Sequence, residues 1–164
     1  MRNAVEQDLE RIVEIYNSTV ASRTSTADTT PVSVESRQAW FHEHTNKRPL
    51  LVYEVEQQIV GWASFQDFYG RPAYHRTAEL SIYLDAAYRG KGLGGAILAE
   101  CIALCPQLGI ANLVGFVFSH NQASLRLLEK FGFAKWGELV EVAEMDDKLY
   151  SLSILGLKLQ LKDE

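Results

Sequence analysis

The stretch Arg89-Gly90-Lys91-Gly92-Leu93-Gly94-Gly95 constrains this chain more than any other. It separates an apolar, strand-like run, Ala78 to Leu84, from a helical pattern that runs from Leu93 to Leu108. A glycine-rich turn that opens directly into a helix makes an anion site. The first-turn N–H groups lack intrahelical partners, and the helix dipole adds partial positive charge. Glycines permit positive φ and a close approach to phosphate oxygens. Arg89 and Lys91 add cationic reach. The ligand this pattern asks for is a pyrophosphate carried by a cofactor.

Two familiar phosphate loops are excluded. The nucleoside-triphosphate P-loop needs a Lys-Ser/Thr pair after its last glycine, and none follows here. The dinucleotide fingerprint is matched only loosely by Gly90, Gly92 and Gly95. It belongs after the first strand of a βαβ unit, with an acid about 20 residues on. Here the loop lies mid-chain, and Asn112, Leu113 and Val114 occupy the place of that acid. What remains is R-x-x-G-x-G: Arg89, Gly92 and Gly94. For an isolated loop a charged surface turn explains the pattern equally well, so the rest of the chain has to decide.

At 164 residues the chain reads as one domain, residues 1–164, long enough for a real core. A net charge of −5 with no basic run gives nucleic acid no purchase. No apolar stretch approaches the ~20 residues of a membrane span, and the N-terminus lacks a signal-peptide core. Cys101 and Cys105 stand i, i+4 on a helical frame and read as core thiols rather than a disulfide or zinc pair. The expectation is a cytoplasmic protein without metal.

The periodicity gives a mixed order. Leu9, Ile12, Val13, Tyr16 and Val20 predict a helix from about Asp8 to Val20. Residues 21 to 31 form a loop. Ser33 caps a second helix through about His44. Leu50 to Val55 and Ile59 to Phe65 are strands around Glu56-Gln57-Gln58, and Asp67 to His75 is a second loop. After the glycine turn and its helix, stopped by Gly109, come a strand at Asn112 to Phe118 and a helix at Asn121 to Phe131. Phe133 to Leu139 and Lys148 to Leu161 are the last strands. A phase slip at Gly156 predicts a bulge there.

This order, together with R-x-x-G-x-G, resembles the GNAT superfamily of N-acetyltransferases over nearly the whole chain. Asn121-Gln122-Ala123-Ser124 through Lys130-Phe131-Gly132-Phe133 resembles the second signature of that family. Ile15-Tyr16-Asn17, Thr29-Thr30-Pro31-Val32-Ser33, Arg37-Gln38-Ala39-Trp40-Phe41 and Thr77-Ala78-Glu79-Leu80-Ser81-Ile82-Tyr83-Leu84 look like the phosphinothricin and methionine-sulfone acetyltransferases. The resemblance implies an α/β (α+β) single-domain GNAT fold. Its sheet is mixed and mostly antiparallel, with about six to seven strands and about four helices, splayed at the acyl-CoA site.

The same resemblance implies acetyl-CoA as co-substrate and assigns roles. Glu79 is the general base that takes the ammonium proton of the acceptor. The backbone of Ile82, Tyr83 and Leu84 meets the pantetheine arm and polarises the carbonyl. Arg89, Gly90, Lys91, Gly92, Leu93, Gly94 and Gly95 hold the pyrophosphate. Asn121 contacts the pantetheine or caps its helix, and Ser124 stands one turn on. Phe68, Tyr69, Arg71, Tyr74, His75 and Arg76 are acceptor-site candidates; Arg71, His75 or Arg76 suits a substrate carboxylate. Trp40 and Trp62 read as core, with Trp40 and Phe41 alternatively lining the acceptor pocket. His42, His44 and His120 read as surface or cap residues.

Two departures stand out. The family's tyrosine or histidine seven residues after the signature Asn is Leu128 here, which cannot protonate a leaving thiolate. Tyr83 and Tyr88 are the hydroxyls available to replace it. A basic, tryptophan-containing segment before the last strand is replaced by Glu144-Met145-Asp146-Asp147-Lys148-Leu149. Three functions follow. The first is acetyl transfer to the primary amine of a small amino-acid-like acceptor, in a protein that pairs as a homodimer. The second is acetylation of a protein or peptide. The third is a non-catalytic acyl-CoA sensor.

Overall fold

The computed structural model describes residues 1–160. Seven strands form one sheet: β1 (Arg2–Asn3), β2 (Leu50–Val55), β3 (Gln58–Asp67), β4 (Thr77–Leu84), β5 (Asn112–Phe118), β6 (Ala134–Met145) and β7 (Lys148–Lys158). Their order is β1-β2-β3-β4-β5-β7-β6, antiparallel except for the parallel contact of β4 with β5. Four α-helices cover it: α1 (Leu9–Val20), α2 (Val34–His42), α3 (Leu93–Leu104) and α4 (Gln122–Lys130). This is the expected GNAT architecture.

Each face of the sheet has its own core. Ile12, Ile15, Tyr16 and Val20 of α1 bury one stripe, as their spacing predicts, against Val52 and Trp62. The Trp62 indole N–H donates to the Ile12 carbonyl at 3.1 Å, which locks α1 to β3. On the other face Ile97, Leu98 and Cys101 of α3 pack with Phe65, Leu80 and Leu113. Cys101 and Cys105 are both free and fully buried in this core, and burial pushes each thiol up to about 12.

Several boundaries differ from the sequence reading. The α3 helix stops at Leu104 rather than Leu108, because Pro106 has no N–H to continue the ladder. The predicted second helix ends at His42, two residues early. The β6 strand runs on to Met145, well past Leu139. No bulge lies at Gly156, which pairs regularly with Val114 and Ala134. The slip is on the neighbouring strand, where Trp136 is extra between Lys135 and Gly137. A Cβ on Gly156 would come within 2.0 Å of the Trp136 ring, so glycine stands there to seat the indole. The β7 strand ends at Lys158, and Leu161 lies outside the described residues.

Candidate active site

The β4 and β5 strands pair only at Thr77–Asn112, Ala78–Leu113 and Glu79–Val114. Beyond that point β4 stays on β3 up to Leu84, while β5 stays on β7 up to Phe118. The sheet therefore opens between residues 80–84 and 115–118. Backbone groups on these two facing edges have no sheet partner and call for water or a ligand. Ile82, Tyr83 and Leu84 all lie along this opening. The Ile82 and Leu84 side chains join the α3 core, while Tyr83 stacks on Trp62 at 4.6 Å on the opposite face. At the opening α4 presses close: a Cβ on Gly115 would sit 3.6 Å from Leu128.

The glycine loop leads from the end of β4 into α3. Gly90 and Gly92 have φ of +74° and +78°, which side chains rarely adopt. Gly92 is the N-cap of α3 and brings no side-chain acceptor, so the first-turn N–H groups stay open to an anion. Lys91 is exposed, with Nζ 5.0 Å from the centre of the Tyr88 ring, and Arg89 is also exposed. Gly94 and Gly95 have a different reason. Cβ atoms there would lie 3.3 Å from Leu127 and 3.6 Å from Phe131, so these two glycines let α3 approach α4.

Asn121 is the N-cap of α4. Its Oδ1 accepts the Ser124 N–H at 3.2 Å, and its Nδ2 donates to the Thr24 carbonyl at 3.1 Å. One amide thus serves a helix cap and ties α4 to the loop between α1 and α2.

Side chains alternate along β4, so Thr77, Glu79, Ser81 and Tyr83 face α1 and α2. On this face a cleft of about 150 Å³ opens among Tyr16, Arg37, Trp40, Ser64, Gln66 and Ser81. That size admits one small side chain, about that of benzene. Glu79 is not among the residues that line it, but it is the next residue on the same face of β4 from Ser81, opposite Gln66 of β3, and both of those line the cleft. The carboxyl is half-buried and has no ion-pair partner among the described residues, and burial raises it above the ordinary carboxylate value. The Arg37 guanidinium lies 4.7 Å over the Tyr16 ring and 5.9 Å from that of Trp40. Its Nη2 donates to Asp28 at 2.9 Å. Among the described residues its Nε and Nη1 donate to no protein atom. The Tyr16 hydroxyl bonds to both Thr26 and Asp28.

The sequence missed Arg37 as a cleft cation, although its place three residues before Trp40 puts both on one helical face. Trp40 lines the cleft, and Trp62 is core and cleft floor at once. Arg71, Tyr74, His75 and Arg76 are exposed on the β3–β4 loop, and none of them lines the cleft. Phe68, Tyr69 and Tyr74 instead cluster with one another, at 4.5 to 6.3 Å between ring centres. Tyr83 and Tyr88 are both engaged elsewhere. Tyr83 donates to the Ser25 carbonyl at 3.1 Å, and Tyr88 to Gln58 at 3.3 Å. His42 and His120 are exposed, as expected, and His44 is half-buried. No cluster suited to a metal occurs among the described residues.

Comparison with known proteins agrees with this fold. The model of the Acetyltransferase (GNAT) family matches residues 10–133. A Bacillus subtilis (strain 168) protein, provisionally named phosphinothricin acetyltransferase YwnH, is 54% identical over 97% of this chain and 98% of its own length. The L-methionine sulfoximine/L-methionine sulfone acetyltransferase of Pseudomonas aeruginosa is 32% identical over 97% of this chain and 94% of its own. The crystal structure of a phosphinothricin acetyltransferase from Sinorhizobium meliloti in complex with AcCoA superposes with a TM-score of 0.89. It is 29% identical and covers 96% of this chain and 86% of that one.

Proposed function

Since this chain belongs to the acetyltransferase (GNAT) family, we propose that it moves an acetyl group from acetyl-CoA to the primary amine of a small amino-acid-like acceptor, with Glu79 as general base. The observation that carries this reading is the end of the β4–β5 pairing at Glu79–Val114. It sets a half-buried carboxylate at the mouth of an opening with free backbone edges.

Acetyl-CoA fits the residues present. The open first turn of α3, Arg89 and Lys91 suit the pyrophosphate, and the edges 80–84 and 115–118 suit the amides of the pantetheine arm. Asn121 and Ser124 flank that arm at the start of α4. When bound, acetyl-CoA supplies an activated thioester carbonyl and a thiolate able to leave.

The residues of this chain do the rest. Glu79 takes a proton from the acceptor ammonium, directly or through water, and so frees the amine lone pair to attack. Its raised pKa narrows the gap to the amine and makes that transfer easier. Free N–H groups on the Ile82–Leu84 edge stabilise the developing oxyanion, an effect commonly worth ~3 kcal/mol. No side-chain acid stands at Leu128, so solvent protonates the thiolate.

The cleft takes the acceptor. Its volume suits one small side chain, and the unused donors of Arg37 suit a carboxylate or sulfone oxygen. Arg71, Tyr74 and His75 belong to the outer rim in this reading. The homodimer belongs to it too, supported by the exposed Trp136, Leu139, Val140, Val142 and Leu149 of the β6–β7 hairpin. A cytoplasmic site is consistent with the two free thiols.

Thiol release from acetyl-CoA tests the reading, with methionine sulfone, methionine sulfoximine, phosphinothricin, polyamines and N-terminal peptides as acceptors. Release with the amino-acid analogues is expected. Release with peptides alone moves the function to protein modification. No release with any acceptor, beside tight acetyl-CoA binding, makes the protein a sensor.

A further inference from the structure

His44 lies just past the end of α2 and touches nothing in the chemistry described so far. Its Nδ1 is 2.9 Å from the Trp40 carbonyl and 3.3 Å from that of Phe41. Its Nε2 is 2.7 Å from the Ser64 hydroxyl. Carbonyl oxygens only accept, so Nδ1 carries the proton and the neutral ring offers a lone pair at Nε2. Ser64 must therefore donate its single proton to His44. Ser64 is 1% exposed, lines the cleft, and pairs with Ser81 across β4.

A hydroxyl whose proton is committed presents only lone pairs elsewhere. We infer that His44 is a positioning residue that fixes Ser64 as a hydrogen-bond acceptor toward the cleft, where it receives an N–H of the acceptor amine. This rests on the reading of the cleft as the acceptor site. It gives that site a discriminator. An amine or ammonium satisfies Ser64, whereas an alcohol, with one hydrogen, must choose between Ser64 and Glu79.

Protonation of His44 reverses the polarity. Nε2 then donates, Ser64 accepts, and its O–H turns toward the cleft, where it meets the donors of the amine. The groups around the ring are few. From α2 and the turn after it come Trp40, Phe41 and Glu43; from β3, Ser64, Gln66 and Asp67; beside them Arg48, paired with Asp67 at 2.7 Å; Arg37 lines the neighbouring cleft, and Glu79 stands opposite Gln66. Burial holds His44 below the ordinary histidine value, outweighing the Trp40 and Phe41 carbonyls and then Glu43, which all favour the charged ring. The neutral, Ser64-orienting form therefore prevails at neutral pH.

The test is the pH profile of acceptor KM beside that of kcat. Wild type is expected to lose acceptor affinity as the pH falls through the titration of His44. His44→Gln keeps an amide oxygen at the position of Nε2 and does not titrate, so its KM should be flat over that range while kcat keeps its acid limb. His44→Phe and Ser64→Ala should each raise KM about 5- to 10-fold, the worth of one hydrogen bond, and the double variant should be no worse than either. His42→Ala, altered on the exposed surface, is the control. Nitrogen NMR of the ring should show protonated Nδ1 and bare Nε2. Superposable KM profiles for wild type and His44→Gln, or an Nε2–H tautomer, overturn the inference. If no acceptor supports thiol release, the acceptor-site reading itself fails. The inference is then judged by the tautomer and by calorimetry of methionine sulfone with wild type and His44→Phe, and equal or absent binding sinks it.

Discussion

Glu79 and Val114 are the last residues at which β4 and β5 remain paired. The carboxylate therefore sits at the apex of the opening, half-buried and without an ion pair among the described residues. Its folded pKa is raised, so between the ordinary carboxylate value of 4.5 and the folded value the native state holds a proton the unfolded chain has lost. Stability from this group is present at low pH and declines as pH rises through that window. Glu79→Gln should accordingly raise Tm at pH 7 to 8, with the difference fading below pH 4.5. Thermal melts across pH check this, and an equal or lower Tm at neutral pH contradicts a strained carboxylate.

Arg37 has guanidinium donors that no protein atom takes among the described residues. Replacing it by alanine should raise KM for anionic or sulfone-bearing acceptors at least ~10-fold, in keeping with a lost charge-assisted hydrogen bond. KM for simple alkylamines should change far less. Steady-state kinetics with paired acceptors check this, and an equal loss for both classes would assign Arg37 to packing on Tyr16 instead.

Much of this site was legible in the sequence, and the misses have physical causes. The turn that opens directly into α3 is legible in the residues alone, whereas its reading as an anion site needed the order of the surrounding elements, since a charged surface turn explains the isolated loop equally well. Helical periodicity found α1 because one buried stripe dominates it. The extent of β6 was hidden because Val140, Glu141 and Val142 lie within a bulge that breaks the two-residue alternation. The β1 strand has only two residues and no period to read. Gly156 carried a signal whose cause lies on the neighbouring strand, at Trp136. Arg71, Tyr74 and His75 look like a substrate shell by composition. Their positions are set by how the β3–β4 loop leaves the sheet, and no local pattern encodes that.

Trp136 and Gly156 form a testable pair. Gly156→Ala should destabilise by ~1–3 kcal/mol, because the Cβ displaces the indole. In a Trp136→Ala background the same change should cost far less, giving a non-additive cycle. Denaturant unfolding of the four proteins measures it, and additive costs would mean the ring is not seated on Gly156.

Leu128 occupies the place from which a general acid would act. Leu128→Ala should leave kcat within ~10-fold of wild type, since no proton transfer is lost. Removal of a working acid costs ~10²–10⁴. Initial rates with methionine sulfone decide it, and a drop of that size would mean that Leu128 shapes the thiolate site in an essential way.

The central claim is that Glu79 is the base at a bound acetyl-CoA. The most direct measurement is thiol release by wild type and Glu79→Gln with the preferred amine, beside the acetyl-CoA Kd of each by calorimetry. The account predicts a kcat lower by ~10²–10⁴ with Kd unchanged. Equal rates, or a loss explained wholly by weaker acetyl-CoA binding, would contradict it.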